Sequence, residues 1–189
     1  MPKTVYAGDY DRLVGVNKEV RKSFLSACRI DWSTSDFAWI TRLPPKGRHS
    51  AAVRLLQASL LTLGLEFGCR YPDGDCVLDS TGSKRGLVRV KFSTLWSTGV
   101  YRFQQLYRDE KAGHVLLFGL CPDQVDFWIL PQRVILRKWG GDVVKEQHGN
   151  RTAWMTLRPG GEGSPKWLER YRKGLDAIVR ALGSVETQR

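Results

Sequence analysis

The sequence predicts an α/β (α+β) fold, a central mixed β-sheet flanked by helices, on three observations. Leu87–Ser93 alternates and carries β-branched residues, His114–Cys121 is nearly all apolar, and Gln124–Leu130 and Thr152–Leu157 are short runs of the same kind, as strands are. Ser50–Phe67 and Pro165–Leu182 instead repeat apolar residues at three- and four-residue steps, so helices and strands alternate along the chain. A length of 189 residues with 42% hydrophobic content, including seven Trp, seven Phe and six Tyr, suits one core-bearing domain and excludes a disordered chain.

Taken in order, residues 1–46 are expected to form an N-terminal extension packed on the core, with a short helix around Asn17–Cys28. The break at Leu43-Pro44-Pro45-Lys46-Gly47 opens a new element and the main domain, 47–189, because a proline pair cannot continue a helix. Ser50 is the expected N-cap of the next helix. Val53, Leu56, Leu60 and Leu63 form its apolar face, Leu55, Leu61 and Leu65 widen it, and Gly68 ends it. Tyr71–Asp79 reads as a turn entering a short strand, and Ser80–Gly86 has the composition of a hairpin loop. In the strand that follows, Leu87, Arg89 and Lys91 fall on one face and Val88, Val90 and Phe92 on the other. Thr98–Arg108 is expected to be a helix, Arg133–Arg137 to extend the sheet, and Pro165–Leu182 to close the chain as one amphipathic helix. The nearly all-apolar run His114–Cys121 predicts a strand covered on both faces. Trp128, Trp154 and Trp167 are expected in the core.

Charge narrows the partner. Thirty Lys and Arg against nineteen Asp and Glu leave a net charge of +11, which favours a polyanion, nucleic acid before an anionic membrane. The opening residues carry no apolar leader and no run approaches the roughly 18 residues of a membrane span, so a cytoplasmic location is expected. Cys28, Cys69, Cys76 and Cys121 form no Cys-x-x-Cys pair, and with scattered His49, His114 and His148 they read as buried thiols rather than a zinc site.

Phosphodiester hydrolysis calls for a divalent ion held by carboxylates and a lysine beside the attacking water. An Asp on one hairpin strand and Glu-x-Lys on the next is a compact way to build this, since residues i and i+2 of a strand share a face. Pro72-Asp73-Gly74-Asp75, the hairpin loop and Val88-Arg89-Val90-Lys91-Phe92-Ser93 resemble the core of the PD-(D/E)xK nuclease superfamily, the restriction-endonuclease-like fold. The similarity extends over Ser50–Val134. It implies a DNA endonuclease using Mg²⁺ or Mn²⁺, with double-stranded DNA as partner and a homodimer as the form that cuts both strands. Carried over, Asp75 and Lys91 are the catalytic pair. Asp75, Asp79 and Glu66 are the metal ligands, with Asp73 a rival for the Asp position. Arg89, Arg102, Gln104, Lys84 and Arg85 are the nucleic-acid contacts. Arg89 departs from the pattern, for it stands where the superfamily has Glu and a guanidinium cannot ligate a metal. The competing reading follows from that departure: a catalytically inactive nuclease-like fold whose Arg89 and Lys91 face binds DNA or serves an assembly. Plainer roles stand beside these, since Asp73, Gly74 and Asp75 are also ordinary turn residues.

Overall fold

The structure, a computed structural model, describes residues 30–65, 67–70, 77–80, 87–108, 112–147, 149 and 151–176, together with Val16, Asn17 and Val20. The helix expected at Asn17–Cys28 is described only at Asn17 and Val20, both helical. No helix among the described residues is long and apolar enough to cross a membrane.

Helix α1 (Ala38–Thr41) leads into α2 (Pro45–Thr62). The proline pair begins α2 five residues before the expected Ser50 cap: Pro44 is the N-cap, and Pro45 is the first helical residue, where a missing N–H costs nothing. Ala52, Val53, Leu56 and Leu60 make the buried stripe, whereas Leu61 and Leu63 are exposed, contrary to the wider face expected. Gly64, at φ 81°, follows the helix end, and Gly68 lies instead in the next strand.

Two sheets follow. Strands β1 (Phe67–Arg70), β2 (Val77–Ser80), β3 (Val88–Thr94), β5 (His114–Leu120) and β6 (Val125–Pro131) form the larger, in the order β1-β2-β3-β5-β6. β3 and β5 are parallel and the other pairs antiparallel, so the expected mixed sheet is present. Strands β4 (Tyr101–Tyr107), β7 (Val144–Gln147) and β8 (Thr152–Leu157) form a second, antiparallel sheet in the order β4-β8-β7. A helix was expected at Thr98–Arg108, yet β4 is a strand: Tyr101 and Phe103 point inward and Arg102 outward with a period of two. A bulge between Phe103 and Leu106, with Gln105 at φ 55°, then restores Leu106 to the inner face.

Alternation along β3 and β5 sorts the core into two layers. Val88, Val90, Leu116, Phe118 and Leu120 face the helices, where Ile40 of α1 and Val53, Leu56 and Leu60 of α2 meet them and Trp32 and Phe37 pack alongside. Val115 and Leu117 face the small sheet and meet Tyr101, Phe103, Met155 and Leu157. β5 is therefore covered on both sides, as its apolar run predicts.

Two further elements depart from expectation. Pro131 ends β6 and caps a short helix, α3 (Gln132–Arg137), in place of a sheet extension. The closing helix is interrupted after α4 (Lys166–Glu169). Tyr171–Lys173 instead runs along β6, with Ile129 N–H donating to Tyr171 O at 2.9 Å and Lys173 N–H to Phe127 O at 3.0 Å. Leu175 and Asp176 return to helix, and 177–182 lies outside the described residues.

Candidate functional site

Strand alternation sends Arg89 and Lys91 to the face of β3 that looks toward the small sheet, the side of Val115 and Leu117 in the parallel register. Both are nearly covered, at 7% and 4% exposure. They share an aromatic neighbour. Arg89 Cζ lies 5.3 Å and Lys91 Nζ 5.1 Å from the ring centroid of Tyr107, at the far end of β4. The ring's electron-rich face offsets part of the cost of desolvating two cations together. Gln132 Nε2 donates to the Tyr107 carbonyl at 2.8 Å and so ties the end of β4 to α3. The same bulge that returns Leu106 inward leaves Gln104 and Gln105 exposed beside this end of the strand. The arrangement presents two ordered positive charges from one strand, a setting that attracts an anion such as a phosphate.

The antiparallel pairing of β2 and β3 sets Val77 opposite Arg89 and Leu78 opposite Val88. Position 79 therefore shares a sheet face with Arg89 but lies one step beyond Val88. At about 3.3 Å per residue it is roughly 13 Å along the ladder from Lys91. The backbone register thus separates positions 79 and 91 along the ladder. Asp75, Asp73, Glu66, Lys84 and Arg85 lie outside the described residues. No group of three His, Cys, Asp or Glu side chains that could hold a metal occurs among the described residues. The two cations at the site's centre offer no ligand lone pair.

Arg102 and Gln104 lie on the outer face of the small sheet, which Tyr107 shares through its pairing with Thr152 further along β4. Arg102 N–H donates to Ser93 Oγ at 2.9 Å, pinning the start of β4 to the end of β3. Its guanidinium lies between two indoles, Cζ at 5.3 Å from the Trp96 centroid and 4.7 Å from that of Trp154. Trp154 is thus on the outer face and only half-buried, whereas Trp128 is fully buried as expected and Trp167 packs at the core's edge.

Asp126 went unremarked in the sequence. It is a buried carboxylate that accepts from the Tyr101 hydroxyl, Gln124 Nε2 and Gly160 N–H on Oδ2, each at 3.0 Å, and from Arg172 Nε and Nη2 on Oδ1 at 3.0 and 2.6 Å. Its signal was a lone carboxylate in the apolar run Val125–Leu130. Burial, reinforced by Cys121 and Asp126, pushes the Tyr101 phenol far above its ordinary value. Burial likewise raises the free, buried Cys121 thiol. His114 is held below its usual value by burial and then by Arg133, so it is neutral near pH 7.

No family model matches the chain, and neither does any curated protein. Two solved structures are similar to it in shape. MepB superposes with a TM-score of 0.46 at 9% identity, covering 64% of this chain and 95% of MepB. A bacterial homing endonuclease, I-Ssp6803I, superposes with a TM-score of 0.44 at 17% identity, covering 76% of this chain and 96% of that enzyme.

Proposed function

We propose that this protein binds double-stranded DNA and hydrolyses its phosphodiester bonds at the Arg89–Lys91 face of β3. The observation that carries this reading is the pair of cations ordered on one face of a strand, both against Tyr107, in a chain of net charge +11. Lys91 would stabilise charge developing on the phosphate, and Arg89 would grip a phosphate oxygen through its fork of donors. Asp75, which lies outside the described residues, is the carboxylate partner this reading requires. Mg²⁺ or Mn²⁺ would polarise the phosphate and acidify water. Because Arg89 cannot ligate, such an ion would depend on Asp75 and Glu66.

A second reading has its own support. Arg89 is buried where a nuclease of the resembled pattern has a carboxylate, which suits a fold that holds DNA without cutting it. Supercoiled plasmid incubated with the protein and Mg²⁺ or Mn²⁺ separates the two. Nicking that disappears in both Lys91→Ala and Asp75→Ala is the expected result. Intact plasmid with salt-sensitive binding retained selects the second reading, and cleavage gained by Arg89→Glu would show that the native centre lacks a ligand. Absence of any DNA binding sinks both.

A further inference from the structure

We infer that the outer face of the β4-β8-β7 sheet is a second DNA-binding surface, one that grips the phosphate backbone of duplex DNA through a ladder of alternating indoles and cations. This inference rests on the DNA-binding half of the function proposed above and not on its catalytic half.

The ladder follows from register. Lys145 on β7 is directly opposite Trp154 on β8, and Arg102 on β4 is opposite Thr156, two residues further along β8. Side chains at opposed positions share a face and diagonal neighbours are within reach of long ones. Lys145 Nζ accordingly lies 5.3 Å from the Trp154 centroid, and Arg102 Cζ lies 4.7 Å from it. β8 runs between β4 and β7, so the two cations approach Trp154 from opposite sides. Trp96, 43% exposed, covers the other side of Arg102. The order across the sheet is Trp96, Arg102, Trp154, Lys145.

Three features select the partner. The outward positions of these strands carry Arg102, Gln104 and Tyr107 on β4, Thr152, Trp154 and Thr156 on β8, and Lys145 and Gln147 on β7, with no carboxylate among them, while Glu146 alternates to the other side of β7 and lies against Gly140. Arg102 Nε is buried and has no hydrogen-bond partner among the described residues, so ring contacts rather than hydrogen bonds orient the guanidinium. Cations from both strands that flank β8 reach the Trp154 ring, so an unpaired base stacking there would have to displace one of them. Preordered cations at outward strand positions that carry no carboxylate among the described residues fit phosphates, and with two cations already held against Trp154 the occupant is a duplex, contacted without sequence readout.

Fluorescence anisotropy with a labelled 20-base-pair duplex, titrated at several salt concentrations, tests this. The log–log salt slope should fall by about 0.9 in Lys145→Ala, and by about 1.8 when Arg102→Gln is added. It should be restored by Lys145→Arg, with equal losses on duplexes of unrelated sequence. Lys145 is exposed, so its substitution leaves the fold intact, and circular dichroism checks the double variant. An unchanged slope in Lys145→Ala, in a background where the wild-type protein does bind duplex, overturns the inference and leaves the Lys91 reading standing. Greater loss on an unpaired oligonucleotide than on the duplex also overturns it, in favour of a stacking platform. Plasmid cleavage lost in Lys91→Ala with an unaltered Lys145 contribution to the slope supports two separate surfaces.

Discussion

Tyr101 shows how one residue joins both sheets. Its ring starts on β4, crosses β5 at Gly119 and delivers its hydroxyl to Asp126 on β6. Burial raises its pKa above the ordinary 10.0, and a group raised in the folded state contributes stability that is complete below its unfolded pKa. That contribution is lost as pH climbs above about 10, where the unfolded chain releases the proton first. Tyr101→Phe should therefore lower stability at pH 7 by about 1.5–3 kcal/mol, the worth of a hydrogen bond to a carboxylate. The variant should also lose less than wild type between pH 9 and 11. Urea unfolding at each pH checks this, and parallel pH profiles for the two proteins would refute it. Arg89 and Lys91 were legible at this scale, because a period of two assigns both to one face from sequence alone. Their shared contact with Tyr107 was not, because it joins residues brought together only by the approach of β4 to β3.

Among elements, β5 has the tightest requirement. A Cβ built on Gly119 would come within 2.6 Å of Tyr101 Cε2, and the ring, fully buried, has nowhere to go. Gly119→Ala should cost about 1–3 kcal/mol through overpacking. At Gly113, a Cβ meets nothing within 4 Å, so Gly113→Ala should stay within about 0.5 kcal/mol of wild type. Thermal melts of the pair check the contrast, and equal shifts would mean that Tyr101 does not pack on β5 as described. Elements with an uninterrupted period, β3, β8 and the body of α2, and those with an unbroken apolar run, β5 and β6, were readable in advance. β4 was not, because the bulge at Gln105 breaks its alternation at mid-strand and the remaining spacing imitates a helix. The Arg133–Arg137 segment and the closing helix misled for a different reason. Pro131 redirects the first, and pairing with β6 captures Tyr171–Lys173 from the second, a long-range choice that local propensity does not encode.

Across the whole molecule, Asp126 is the point where distant parts of the chain are tied. Tyr101, the Pro159–Gly161 turn and Arg172 all reach one carboxylate, so the segment after β8 is anchored to the sheet edge by a residue 46 positions upstream of Arg172. The two partners of this ion pair are not equivalent. Asp126 is wholly buried, whereas the Arg172 side chain is 42% exposed. Removing the carboxylate strands several buried donors, and Asp126→Ala should lower global stability by about 3 kcal/mol or more. Removing Arg172 leaves a carboxylate that still accepts from Tyr101, Gln124 and Gly160, and water can reach the vacated position. Arg172→Ala should cost about 1 kcal/mol after allowance for solvent screening. Its main effect is then local: faster amide exchange at Ile129 and Lys173, whose N–H groups bond across this edge, with β3 and β5 protection unchanged. Hydrogen exchange read by mass spectrometry distinguishes the two variants. If Arg172→Ala accelerates exchange throughout the sheets as much as Asp126→Ala does, the closing segment is part of the cooperative core rather than a strap fastened to it by one carboxylate.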